Sequence, residues 1–175
     1  MPESPEAGSK AVYVGSFDPI TLGHLDIVRR AARIFSEVTV GVGINPDKKS
    51  LFSSDERLEM CRMAVREYHN VRVETFNGLA VEFVRQCGSR VLLRGVRSLA
   101  DMDAEFTMSL TNQALDSEIE SVFMMSGERF AHVSSSLIKQ IARMARGDVE
   151  RKLAGFVPAL VIARLIERLA EEQSS

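Results

Sequence analysis

The chain has 175 residues, of which 45% are apolar and 26% charged, with a formal net charge of −2. Those values describe one soluble domain large enough to bury a core. They exclude a protein that holds nucleic acid through bulk positive charge. Cys61 and Cys87 form no C-x-x-C pair, so neither a zinc ribbon nor a thiol redox motif is indicated, and both are expected as core thiols. No apolar run has the length of a bilayer span, and the opening residues lack a secretory pattern. The expected location is the cytoplasm, with no membrane partner.

Residues 1–9, rich in Pro, Glu, Ser and Gly, read as a disordered tail, and residues 10–172 as one domain. Residues 10–14 are a continuous apolar strand, buried on both faces. A helix follows over 25–35, with Leu25, Val28, Ala32 and Phe35 on one stripe. The second strand spans 38–44 and carries Gly41 and Gly43, which mark a close approach. Ser53 and Glu56 form a capping box for a helix through residue 68. A third strand over 71–76 leads to Asn77 as the cap of a helix over 79–87, stopped by Gly88. A short fourth strand (91–93) precedes Arg94-Gly95-Val96-Arg97 and a helix over 101–115. The fifth strand is 121–125. A helix over 134–146 ends at Gly147. The last helix starts at Pro158 and carries Val161, Leu165 and Leu169, flanked by Ile162 and Ile166.

Five strands alternating with helices predict an α/β chain: one Rossmann-like, doubly wound domain with a five-stranded parallel sheet and helices on both faces. Ligands of such sheets sit beyond the carboxyl ends of the strands, at the switch in strand order. The notable polar groups all follow strands. After the first comes Gly15-Ser16-Phe17-Asp18-Pro19-Ile20-Thr21-Leu22-Gly23-His24, a tight loop opening a helix. Free amides at that point favour an anion, and Ser16, Thr21 and His24 add phosphate donors. Lys48 and Lys49 follow the second strand; alone, they are a solvated charge pair. Arg94 and Arg97 follow the fourth, with a planar fork suited to phosphate. Ser134, Ser135 and Ser136 open a later helix, as a cap or as a pyrophosphate cradle.

Thr21-Leu22-Gly23-His24 resembles the T/H-x-G-H signature of the nucleotidyltransferase superfamily. Val133-Ser134-Ser135-Ser136-Leu137-Ile138-Lys139 resembles its second motif. Taken with G-S-F-D-P, P-x-K-K and R-G-x-R, these resemble the bacterial phosphopantetheine adenylyltransferase family over nearly all of residues 10–169. The resemblance implies transfer of AMP from ATP to 4′-phosphopantetheine, by in-line attack and without a covalent intermediate, with Mg²⁺ on the ATP oxygens and no metal site built from protein ligands. It implies His24, Lys48 and Arg97 as catalytic residues. Ser16, Phe17, His24, Gly95, Val96, Arg97, Glu105, Phe130, Ala131, His132, Val133, Ser134, Ser135 and Ser136 fall at its ATP positions. Ser16, Lys48, Ala80 and Arg94 fall at its acceptor positions, and a homohexamer is implied. Ser16 departs from the frequent Thr but keeps the hydroxyl. Ala80 replaces a larger apolar residue, and Phe130-Ala131-His132 a more usual aromatic-Ser-Phe. The rivals are transfer to nicotinamide mononucleotide or glycerol phosphate, a non-catalytic nucleotide-binding module, and a synthetase fragment, for which the chain leaves no room for tRNA-binding domains.

Overall fold

The computed structural model describes residues 9–145 and 147–174; the expected disordered tail (residues 1–9) falls outside them apart from Ser9, and Arg146 also lies outside. In chain order the elements are β1 (Lys10–Gly15), α1 (Leu22–Ile34), β2 (Glu37–Ile44), α2 (Ser54–Val65), β3 (Val71–Asn77), α3 (Ala80–Gln86) and β4 (Val91–Val96). Then come α4 (Leu99–Leu115), β5 (Glu120–Met125), a 3₁₀ turn (Glu128–Phe130), α5 (Ser135–Met144), α6 (Val149–Leu153) and α7 (Ala159–Ser174). The strands form one parallel sheet in the order β3-β2-β1-β4-β5. The order reverses between β1 and β4, so the crevice that collects ligands opens above their carboxyl ends.

Alternation along the strands sorts the core into two layers. Val38, Val40 and Val42 of β2 and Leu93 of β4 face α1, α2, α5, α6 and α7. Val12, Val14 and Leu92 face α3, whose Val81, Phe83 and Val84 are buried. Each fully buried aliphatic side chain contributes roughly 1.5–3 kcal/mol. The close approach expected at Gly41 is real: a Cβ there would stand 2.5 Å from Cε1 of Phe83. On α7, Val161, Ile162 and Leu165 are buried, while Ile166 faces outward.

Several boundaries differ from the sequence reading, each for a local reason. The first helix starts at Leu22, because Thr21 caps it, and His24 therefore lies inside its first turn. Its buried stripe runs through Ile27, Val28 and Ala31. Asn77 is the last residue of β3 and not a cap; Leu79 takes the N-cap position without a side-chain bond. Pairing with β5 carries β4 through Val96, so Arg94 and Gly95 are strand residues. Helix α2 ends at Val65, and α6 was not anticipated. The Ser53–Glu56 capping box is present as expected.

Candidate active site

A cavity of about 300 Å³ occupies the switch point, lined among others by Tyr13, Phe17, His24, Arg94, Arg97 and Ser134. It is built first from helix ends. Thr21 Oγ1 accepts from the His24 amide at 3.3 Å, and the Thr21 amide donates to His24 Nδ1 at 3.1 Å. This is a capping box in which histidine stands where Glu or Gln is usual. Because Nδ1 accepts, the proton of the neutral ring sits on Nε2, leaving one N–H donor for the cavity. Burial, and after it the charges of Arg97 and Arg94, push the imidazole down to about 4, so it stays neutral near pH 7. Phe17 lies edge-on to His24 at 5.1 Å and holds a left-handed backbone, φ +46°. That geometry costs on the order of 1–3 kcal/mol, and its fully enclosed ring holds it in place.

The second helix end belongs to α5. Ser134 Oγ caps it by accepting from the Leu137 amide at 3.1 Å, and the Ser135 hydroxyl donates to the Pro19 carbonyl at 2.8 Å. Among the described residues, the Ser135 and Ser136 amides and the Ser136 hydroxyl have no partner. Two helix N-termini thus converge on one cavity, each favouring negative charge. The three serines divide the work that the sequence assigned to them jointly. Ser134→Ala should cost about 1 kcal/mol of stability with the cavity's affinity for a polyphosphate anion nearly unchanged. Ser136→Ala should keep the melting temperature and weaken binding of a polyphosphate anion. Calorimetric titration beside melting curves separates the two, and the reverse assignment would refute it.

The arginines are fixed before any ligand arrives. Glu105 takes Arg94 in a two-pronged pair, with Nε and Nη2 both at 2.6 Å, and Arg94 Nη1 donates to the Val14 carbonyl at 2.9 Å. Arg97 donates through Nε to Asp101 at 2.9 Å and through Nη1 to the Val133 carbonyl at 2.9 Å. Gly95 lies between them, where a Cβ would press on Ile27 Cγ1 and Tyr13 Oη, each at 3.2 Å.

The loop after β1 is clamped from outside the cavity. Asp18, 4% exposed, accepts from the amides of Leu51 and Phe52 and from Lys139 Nζ, all at 2.9 Å. Burial alone would raise its carboxyl, but Lys139 and the two amides outweigh that and hold it below the ordinary aspartate value. Arg57, equally buried, donates to the carbonyls of Ser16 at 2.6 Å and Gly43 at 2.9 Å, and so ties the loop to the end of β2.

Of the residues singled out in the sequence, Phe17, His24, Arg94, Gly95, Arg97, Glu105, Val133, Ser134, Ser135 and Ser136 line the cavity together. Ser16, Val96, Phe130, Ala131 and His132 flank it without lining it; Val96 is fully buried, and Ala131 and His132 are exposed. Lys48 stands on the exposed turn after β2, and Ala80 packs against the second core layer; neither lines the cavity. The sequence reading missed Tyr13, Asp101, Asp18 as a clamp, and Arg57. Tyr13 had a usable signal, as the one phenol in an otherwise aliphatic strand.

Fold and cavity together define a nucleotidyltransferase: the model of the cytidylyltransferase-like family matches residues 12–141. The fold is shared with a Plasmodium falciparum nicotinic acid mononucleotide adenylyltransferase complexed with NaAD, at TM-score 0.67 and 13% identity, over 91% of this chain and 95% of that one. Sequence comparison is more specific. The chain is 54% identical to a phosphopantetheine adenylyltransferase of Rhodopirellula baltica, over 93% of its own length and 89% of the relative's. It is 51% identical to one of Heliobacterium modesticaldum, over 92% and 93%. The chain belongs to the phosphopantetheine adenylyltransferase family.

Proposed function

We propose that the chain transfers AMP from ATP to 4′-phosphopantetheine, giving dephospho-coenzyme A and pyrophosphate in coenzyme A biosynthesis. The observation that carries this reading is the convergence of two helix N-termini and two fixed arginines on one cavity, in a chain 54% identical to a relative of that name. The acceptor phosphate attacks the α-phosphorus in line, and positioning and charge stabilisation supply the catalysis. His24 donates from Nε2 to the α-phosphate as charge builds on it. The Ser134, Ser135 and Ser136 helix start cradles the leaving pyrophosphate. Arg94, with Glu105 setting its plane, holds the acceptor phosphate, and Arg97 with Gly95 and Val96 lies along the nucleotide. Ser16 borders both substrates and Phe17 the nucleotide, and Phe130, Ala131, His132 and Val133 border the adenine. Lys48, reaching in from its exposed turn, relieves repulsion between the two anions, and Ala80 borders the pantetheine arm.

Mg²⁺ belongs to this reading as an ion carried on ATP. Asp101 and Glu105, the carboxylates lining the cavity, are each paired with an arginine. Among the described residues no three His, Cys, Asp or Glu side chains cluster around a common point. That donor set fits an ion ligated chiefly by phosphate oxygens and water, which would neutralise charge on the leaving pyrophosphate. A homohexamer in the cytoplasm completes the proposal. Self-association is supported by the apolar side chains that α4 leaves exposed, Leu99, Phe106, Met108 and Leu110.

The test is pyrophosphate release from Mg-ATP with phosphopantetheine, nicotinamide mononucleotide and glycerol phosphate offered separately. Release with phosphopantetheine alone is expected. Release with one of the others instead would overturn the acceptor assignment, and no release with any would return the chain to a binding module.

A further inference from the structure

Tyr13 is 5% exposed on β1, within the core layer that holds Phe17, Ile27 and Leu93. Its hydroxyl makes no hydrogen bond among the described residues, yet the residue lines the cavity and its Oη faces Gly95, where a Cβ would come within 3.2 Å of it. Its ring sits edge-on to Phe17 at 5.5 Å and tilted to His24 at 6.4 Å. Phenylalanine would fill the same space, so packing gives no reason for a phenol here, and the hydroxyl, unlike the sealed Nε of Arg57, opens to the cavity. The cations that bear on it most are Arg94 and then Arg97. Even so, burial outweighs them and raises the phenol above its ordinary value. It therefore stays protonated, a neutral donor in a cavity that Arg94 and Arg97 also line.

Resting on the reading of the site as an adenylyl-transfer centre, we propose that Tyr13 is a further catalytic residue: its hydroxyl donates a hydrogen bond to an oxygen of the reacting phosphates. Among the described residues the hydroxyl has no acceptor, and the phosphates of a bound substrate would supply one. The hydroxyl also crowds residue 95, because a Cβ there would meet Oη at 3.2 Å and force the phenol to shift by a few tenths of an ångström.

The test is Tyr13→Phe in the full chain, assayed for pyrophosphate release with phosphopantetheine and for Mg-ATP binding, beside melting curves. Removing only the hydroxyl should leave the melting temperature equal or raised, since no internal partner is stranded. Transfer, as kcat/KM, should fall by roughly 10- to 100-fold, the scale of one hydrogen bond to a charged group. Transfer within about twofold of wild type would overturn the proposal while leaving the adenylyl-transfer reading intact. A lowered melting temperature with unchanged kcat/KM below it would equally overturn it, in favour of a packing role. Wild-type protein inactive with every acceptor would remove that reading and the proposal with it.

Discussion

His24→Ala should lower kcat by at least about 100-fold, the scale of one lost transition-state donor, with ATP affinity changed far less because the contact strengthens as charge develops. The same substitution strips the Thr21 amide of its acceptor, so about 1 kcal/mol of stability should go too. His24→Glu separates the two losses: a carboxylate completes the capping box but brings no donor to the phosphates, so stability should return and turnover should not. Equal losses in ATP affinity and turnover would make His24 a ground-state ligand instead. The depressed imidazole adds a pH signature. An unfolded histidine binds its proton below about 6.5, whereas the folded one stays unprotonated down to about 4. The unfolded state therefore holds the extra proton across that window, and stability falls as pH drops through it. Chemical denaturation between pH 4 and 7 should show that slope in wild type and a flatter one in His24→Ala.

Asp18→Ala is expected to be the most destabilising single change outside the aliphatic core. It would leave the Leu51 and Phe52 amides without acceptors and Lys139 without its counter-charge. Breaking a buried pair from one side costs about 3–5 kcal/mol. Activity should fall with it, since the loop from Ser16 to His24 loses its anchor to the start of α2 and to α5. Because the folded carboxyl is held below its ordinary value, its contribution is present above about pH 4 and is lost as pH falls through the folded value. Urea denaturation of Asp18→Ala and Asp18→Asn measures the cost, and wild-type stability in Asp18→Ala would refute the clamp.

The parallel sheet was legible because its signal is local and repeated: apolar runs with valine at every second position in β1 and β2, Gly88 after α3, a capping box before α2. The cavity was legible for the same reason, since its motifs lie at or beyond the carboxyl ends of the strands. What escaped the sequence was pairing at a distance. Nothing near Arg94 reveals that Glu105 will seize it, and nothing near Asp18 announces Lys139, 121 residues on. The extension of β4 through Arg94 and Gly95 was hidden because charge and glycine argue against a strand; ladder bonds to β5 overrule them. Helix α6 is too short for periodicity to register. Asn77 looked like a cap on composition alone, but the ladder with β2 claims it as the end of β3.

The arginine–carboxylate pairs bear on how the site behaves among ordinary ions. Arg94 and Arg97 contribute two positive charges to the cavity, and Glu105 and Asp101 return two negative ones. A stray sulfate or inorganic phosphate meets guanidinium forks already engaged, and is left with the helix amides and the few neutral donors of the cavity, such as His24 and the Ser136 hydroxyl. A ligand that brings several phosphates on one scaffold can engage both helix starts and both arginines together, each contact raising the effective concentration of the next. The arginines need no ordering when it arrives, which lowers the entropic cost of capture. Discrimination against small anions is thus set by the carboxylates behind the arginines as much as by the cations themselves.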